Sequence, residues 1–97
     1  MTGLILSSAE LDPRRRRILF RCWHRGIREM DLILGPFADT HLAGLSEPDL
    51  LTYDRLLEEN DQDLMAWILG QSAPPDWVVP LLGRITTFAR ERLSPRS

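Results

Sequence analysis

The run Arg25-Gly26-Ile27-Arg28-Glu29-Met30-Asp31 gathers more chemistry than any other stretch of the chain. An arginine, a glycine and a glutamate place opposite charges around a permissive backbone point, and Glu29 in the first turn of a following helix favours the positive end of its dipole. On residue types alone this is a helix corner with a local ion pair, and exposed pairs of that kind contribute under about 1 kcal/mol. Cys22, His24 and His41 are the other reactive side chains, but their spacing matches no zinc pattern and there is no second cysteine. No Ser, Asp or Cys is placed by sequence beside either histidine, so nucleophilic catalysis finds no constellation. No glycine-rich loop follows a strand, so direct dinucleotide binding has no support. Cys22 reads as a core residue. Trp23, Trp67 and Trp77 read as core or rim aromatics, although Trp is also enriched in binding hot spots.

Charge is distributed unevenly along the chain. Its net value is -2, yet residues 1–37 carry +3, residues 38–77 carry -8 and residues 78–97 carry +3, so separate surface fields can steer a partner. All twelve cations are arginine. Arg14 to Arg17 would give a helix face able to neutralise phosphates, which keeps a small nucleic-acid-binding module as the alternative, while the acidic middle works against broad phosphate binding. Ninety-seven residues bound the chain to one modest domain, and 43% apolar with 27% charged residues is a globular composition. Charged residues interrupt every apolar run before it reaches membrane-spanning length. The N-terminal stretch matches neither a secretory signal nor a transit peptide, and one cysteine fits a reducing compartment, so the expected location is cytoplasmic.

Hydrophobic spacing predicts the elements that carry the corner. Pro13 suits the first turn of a helix running to about His24, with Ile18, Leu19, Cys22 and Trp23 on one arc and Arg14, Arg17, Arg21 and Arg25 on the other. Gly26 marks a sharp corner, and Met30, Leu34 and Phe37 define a second helix from about Ile27 toward Thr40 that should kink or end near Pro36. Ser46, Pro48 and Asp49 resemble a capping box opening a third helix, Glu47 to Glu59, with Leu50, Tyr53 and Leu57 buried. The stretch Glu59, Asn60, Asp61 offers a cap and a turn before a short, nearly all-apolar helix that Gly70 ends, which is expected at the centre of the bundle. The last helix starts near Val79 and buries Leu81, Leu82, Ile85, Phe88 and Ala89 before Ser94 and Pro95. No segment reads as a strand. The expectation is an all-α compact bundle of five short helices, with no sheet, over residues 13–94. Residues 1–12 read as a flexible arm and 95–97 as a polar tail.

The pattern Arg25-Gly26-x-x-Glu29 follows an arginine-rich aromatic helix and precedes Asp31, an apolar turn and Pro36-Phe37. Leu45-Ser46 opens a helix, Tyr53 to Leu57 follow, and the acidic stretch Glu58 to Asp63 leads into Leu64, Trp67 and Leu69. Over about 80 residues this resembles the small flavinylation factors of succinate dehydrogenase, the SdhE/Sdh5 family. The resemblance implies an assembly chaperone and not an enzyme. Such a factor binds the flavoprotein subunit of succinate dehydrogenase, or of fumarate reductase in some bacteria, and promotes covalent attachment of FAD to a histidine of that subunit. Carried onto this chain, it implies that Arg25, Gly26 and Glu29 face the client and are mostly exposed, with Arg28, Asp31 and Arg21 as neighbours in the patch. It also implies that the FAD belongs to the client, with no cofactor stably bound here; a monomer when free, no nucleic acid partner and no membrane insertion are the expectations beside it. An antitoxin-like role is the minor alternative. The chain departs from the family pattern in its longer arm, residues 1–13, and in the polar tail after Leu93.

Overall fold

Helix α1 (Pro13–Trp23) begins where Asp12 leaves its carboxylate free to accept the Arg15 backbone N–H at 2.8 Å, with Pro13 supplying a fixed first turn. That backbone hydrogen bond, followed by the one from the Arg15 side chain, holds the Asp12 carboxyl below its ordinary value. The computed structural model describes residues 11–93; the remaining expected arm residues, 1–10, the last expected domain residue, 94, and the expected tail, 95–97, lie outside the described residues. Leu11 already packs into the core.

α1 buries Ile18 and Cys22, with Leu19 and Trp23 half-buried, and His24 closes it. α2 (Arg28–His41) buries Met30, Leu34, Phe37 and Ala38. It does not end at Pro36 but runs through it as one element to His41. Proline removes a single ladder bond, whereas the buried side chains on both sides of it hold the helix onto its neighbours. A 3-10 turn, Leu42–Gly44, leads to α3 (Glu47–Leu56), capped by Ser46 Oγ accepting the Asp49 N–H at 3.3 Å. Only that half of the expected box forms, because the Asp49 carboxylate turns to Arg84 instead, at 3.1 Å.

α3 stops at Leu56, earlier than the expected Glu59. Residues 57–59 turn away, and Asn60 caps α4 (Asp61–Ile68) by accepting the Asp63 N–H at 2.8 Å. α4 is not central, as its apolar content led us to expect. Leu64 and Ile68 are buried, but Met65 and Trp67 are only partly so and Leu69 is 59% exposed. Two inward residues one turn apart are enough to seat a helix of eight residues at the edge of the core. A 3-10 turn, Asp76–Val78, then leads into α5 (Val79–Leu93), which buries Leu81, Leu82, Ile85 and Ala89. Phe88 is half-buried, edge-on to Phe37 with ring centroids 5.7 Å apart. The five helices are as expected, and there is no strand among the described residues.

The core contains one buried polar chain. Cys22 Sγ donates to Tyr53 Oη at 3.3 Å, and Tyr53 Oη donates to the Leu34 carbonyl at 3.4 Å, so α1, α3 and α2 meet at one relay. Burial pushes the Cys22 thiol up to about 12, against a smaller lowering by its bond to Tyr53, and burial likewise raises the Tyr53 hydroxyl.

Candidate functional site

The chain between α1 and α2 is short, and Gly26 gives it its shape. Its φ is +111°, a conformation that side chains with a Cβ rarely adopt, yet a Cβ there would meet nothing within 4 Å. The glycine is thus required by the backbone and not by a crowded neighbour. Ile27, 41% exposed, has extended backbone and opens α2, so Arg28 and Glu29 stand in the first helical turn. Both are exposed, and neither side chain has a partner among the described residues.

Arg25 behaves differently from the expectation. Its side chain is only 10% exposed. The guanidinium donates from Nε to Asp61 Oδ1 at 2.9 Å, from Nη1 to the Leu57 carbonyl at 2.7 Å and from Nη2 to the Glu59 carbonyl at 2.6 Å. Its backbone N–H donates to Asp31 Oδ1 at 2.8 Å, closing the corner from the α2 side. The expected exposure of Arg25 and its local pairing with Glu29 are therefore both corrected. A guanidinium withdrawn from water must saturate its donors, and the turn after α3 offers two carbonyls and a carboxylate in the right fork. Arg21, half-buried, reaches the same turn, at 2.9 Å from Glu58 Oε2 and 3.2 Å from the Leu57 carbonyl.

The six sequence-predicted site residues thus lie in one region but in two layers. Gly26, Arg28 and Glu29 form the outer surface, Arg25 and Asp31 tie it from behind, and Arg21 binds the turn after α3 that also receives Arg25. Sequence reasoning missed Asp61. It lies in the acidic stretch that contributed to the family resemblance, but its pairing with Arg25 spans 36 positions and no local pattern announces it. A shallow groove beside the corner is lined by Ile27, Asp61, Gln62, Met65, Ala66 and Gln71.

The arginine face of α1 is mostly engaged within the molecule. Arg14 pairs with Glu47 and, at 3.3 Å, with Asp54, and its hydrogen bond to Glu47 raises its pKa further. Arg15 donates to the carbonyls of Leu42 at 3.0 Å and Leu45 at 2.7 Å, and Arg16 to that of Leu11 at 2.6 Å. Beside them Phe20, 62% exposed, stacks on His24 with centroids 4.0 Å apart. Among the described residues no cluster of three His, Cys, Asp or Glu side chains is arranged to hold a metal ion. No described helix is long and apolar enough to cross a membrane.

These features define a small all-α protein with an exposed charged corner between its first two helices. Residues 16–89 match the Sdh5 family, described as flavinator of succinate dehydrogenase, and the chain belongs to that family of assembly factors. A Caenorhabditis briggsae protein named succinate dehydrogenase assembly factor 2, mitochondrial, is 36% identical over 101 aligned positions, which cover 100% of this chain and 83% of the relative. The FAD assembly factor SdhE of Shewanella oneidensis is 37% identical over 79 positions, covering 81% of this chain and 92% of the relative. The matched segment contains the whole corner and the turn that holds it.

Proposed function

We propose that this chain binds the flavoprotein subunit of succinate dehydrogenase, or of fumarate reductase, and promotes covalent attachment of FAD to it. The FAD belongs to the client, the bond forms on the client, and this chain acts as a chaperone and not as the catalyst. The observation that carries the reading is the outer layer of the corner. Gly26, Arg28 and Glu29 are exposed, and the two charged side chains have no partner among the described residues, in a region matched by the flavinator family. An outward carboxylate and guanidinium on a fixed turn can make charge-assisted hydrogen bonds to a partner without first breaking internal ones. Arg21, Arg25 and Asp31 serve the same surface from behind it.

The chemistry asks only for orientation, since flavin and histidine already carry the reacting groups. Holding reactants in register is worth up to about 7 to 11 kcal/mol, of which an assembly factor needs a small part. Nucleic acid is not the partner in this reading, because most of the α1 arginines already have acceptors within the molecule. A buried free thiol suits a reducing compartment, and the cytoplasm is the proposed location, with the free factor a monomer.

The test is in-gel flavin fluorescence of the denatured flavoprotein subunit from cells lacking the factor, complemented with wild type or Glu29→Ala. Loss of covalent flavin with a well-folded Glu29→Ala protein is the expected result. Full flavinylation by that variant removes the corner's role, and full flavinylation with no factor at all removes the chaperone reading.

A further inference from the structure

We infer that Asp61 is a positioning residue for the client-facing corner, acting through Arg25 and never touching the client itself; this rests on the corner being the client surface. Gly26 has no atom within 4 Å of where a Cβ would lie, and Arg28 and Glu29, at the start of α2, have no side-chain partner among the described residues, so no side chain of the outer layer holds the corner in place. What fixes it must lie on either side. On one side Asp31 accepts the Arg25 N–H at 2.8 Å, tying the start of the corner to the first turns of α2. On the other, the Arg25 guanidinium is gripped by three acceptors of one turn, the carbonyls of Leu57 and Glu59 and the carboxylate of Asp61.

Of those three acceptors only Asp61 carries charge, and it is itself well placed. It is the first residue of α4, behind the Asn60 cap, and its side chain is 20% exposed against 10% for Arg25. The two charges are largely shielded from water and salt. Replacing the carboxylate by an amide leaves the guanidinium, mostly withdrawn from water, among neutral acceptors alone, without its counter-charge. Such a group recovers its missing partner by swinging outward, and its backbone is the backbone that leads into Gly26. Asp61 thereby sets where Glu29 stands, although the two are joined only through Arg25 and the corner.

The experiment is a double-mutant cycle on binding to the purified, unflavinylated flavoprotein subunit, with Asp61→Asn, Glu29→Ala and the double variant. Asp61→Asn is expected to weaken binding about tenfold or more while keeping its helical signal at the assay temperature. The double variant is expected to bind no worse than Glu29→Ala alone, because a misplaced Glu29 and an absent one lose the same contact. Wild-type affinity of Asp61→Asn, or losses that multiply in the double variant, would overturn the inference. A Glu29→Ala protein that binds like wild type sinks the corner's client role instead. In that event the amide proton and nitrogen shifts of Gly26 and Glu29 decide the structural half, moving in Asp61→Asn but not in Leu69→Ala if Asp61 positions the corner. Unmoved shifts overturn it. Should Asp61→Asn fail to fold, Asp61→Glu, which keeps the charge but displaces it by one methylene, is put through the same cycle with a smaller loss expected.

Discussion

The Trp23 indole lies directly on the backbone of Gly35, so that a Cβ at Gly35 would fall within 2.7 Å of Trp23 Cζ2 and closer still to Cε2 and Cδ2. The ring is held there by its Nε1–H donating to Asp39 Oδ1 at 3.2 Å. α1 and α2 approach each other through this contact, and the corner between them inherits its geometry. Gly35→Ala gains about 1 kcal/mol of helix propensity but forces a rigid ring to move, and overpacking of that kind costs about 1 to 3 kcal/mol. Urea unfolding should show a net loss of stability, and Trp23→Phe in the same chain should recover part of it by vacating the space.

The sequence was most legible where structure is local. Pro13 and Ser46 with Pro48 mark helix starts through contacts no more than three residues long, and both sit where their spacing puts them, while the stretch Glu59 to Asp61 was legible as a cap without singling out Asn60. Gly26 was legible for the same reason, since a positive φ is a property of the residue itself. Arg25 was not, because its burial depends on acceptors 32 to 36 positions away, and from sequence alone an arginine beside a glycine looks solvated. The Trp23 contact with Gly35 was hidden in the same way. α4 misled through composition: its apolar residues are many, but only Leu64 and Ile68 share the inward stripe. At Pro36 the sequence allowed a kink or an end, and the packing of Leu34, Phe37 and Ala38 carries the helix on past it.

Cys22 should be inert in the folded protein and should make stability depend on alkaline pH. Burial raises its thiol to about 12 from an ordinary value near about 8.5, so the folded state retains a proton that the unfolded chain releases. The stabilisation is complete below about pH 8.5 and falls as pH rises toward about 12, with a limiting slope of about 1.4 kcal/mol per pH unit for one proton. Tyr53 adds a loss of the same sign above about pH 10. Urea melts at pH 7.5 and 9.5 should show the decline, and Cys22→Ala should be weaker at both but flatter between them. A thiol reagent should label Cys22 slowly in buffer and quickly in urea.

The peripheral seat of α4 makes its substitutions unequal. Leu64 is fully buried and Leu64→Ala should cost about 2 to 5 kcal/mol, the usual sum of transfer and cavity terms. Ile68, 8% exposed at the end of the helix, should fall at the low end of that range, and Leu69→Ala should stay within about 0.5 kcal/mol. Equal effects for Leu64 and Leu69 in urea unfolding would contradict this placement of the helix.

Gly26 separates stability from function most cleanly. A Cβ at Gly26 meets open space, so the cost of Gly26→Ala comes only from holding a non-glycine residue at φ +111°, about 1 to 3 kcal/mol if the backbone stays where it is. The corner is exposed, and relaxing that strain by changing φ is easier there than in the core, so the measured loss of stability should sit at or below the low end. Relaxation swings the outer layer, however, and Arg28 and Glu29 move with it. Gly26→Ala should therefore lower the melting temperature by only a few degrees while reducing client binding and covalent flavin far more, and Gly26→Arg should do the same more strongly by adding bulk to the outer surface. Thermal unfolding and client binding measured on the same preparations decide the matter. If binding falls only in proportion to the fraction unfolded at the assay temperature, the glycine is needed for folding alone and the client-facing role of this position fails.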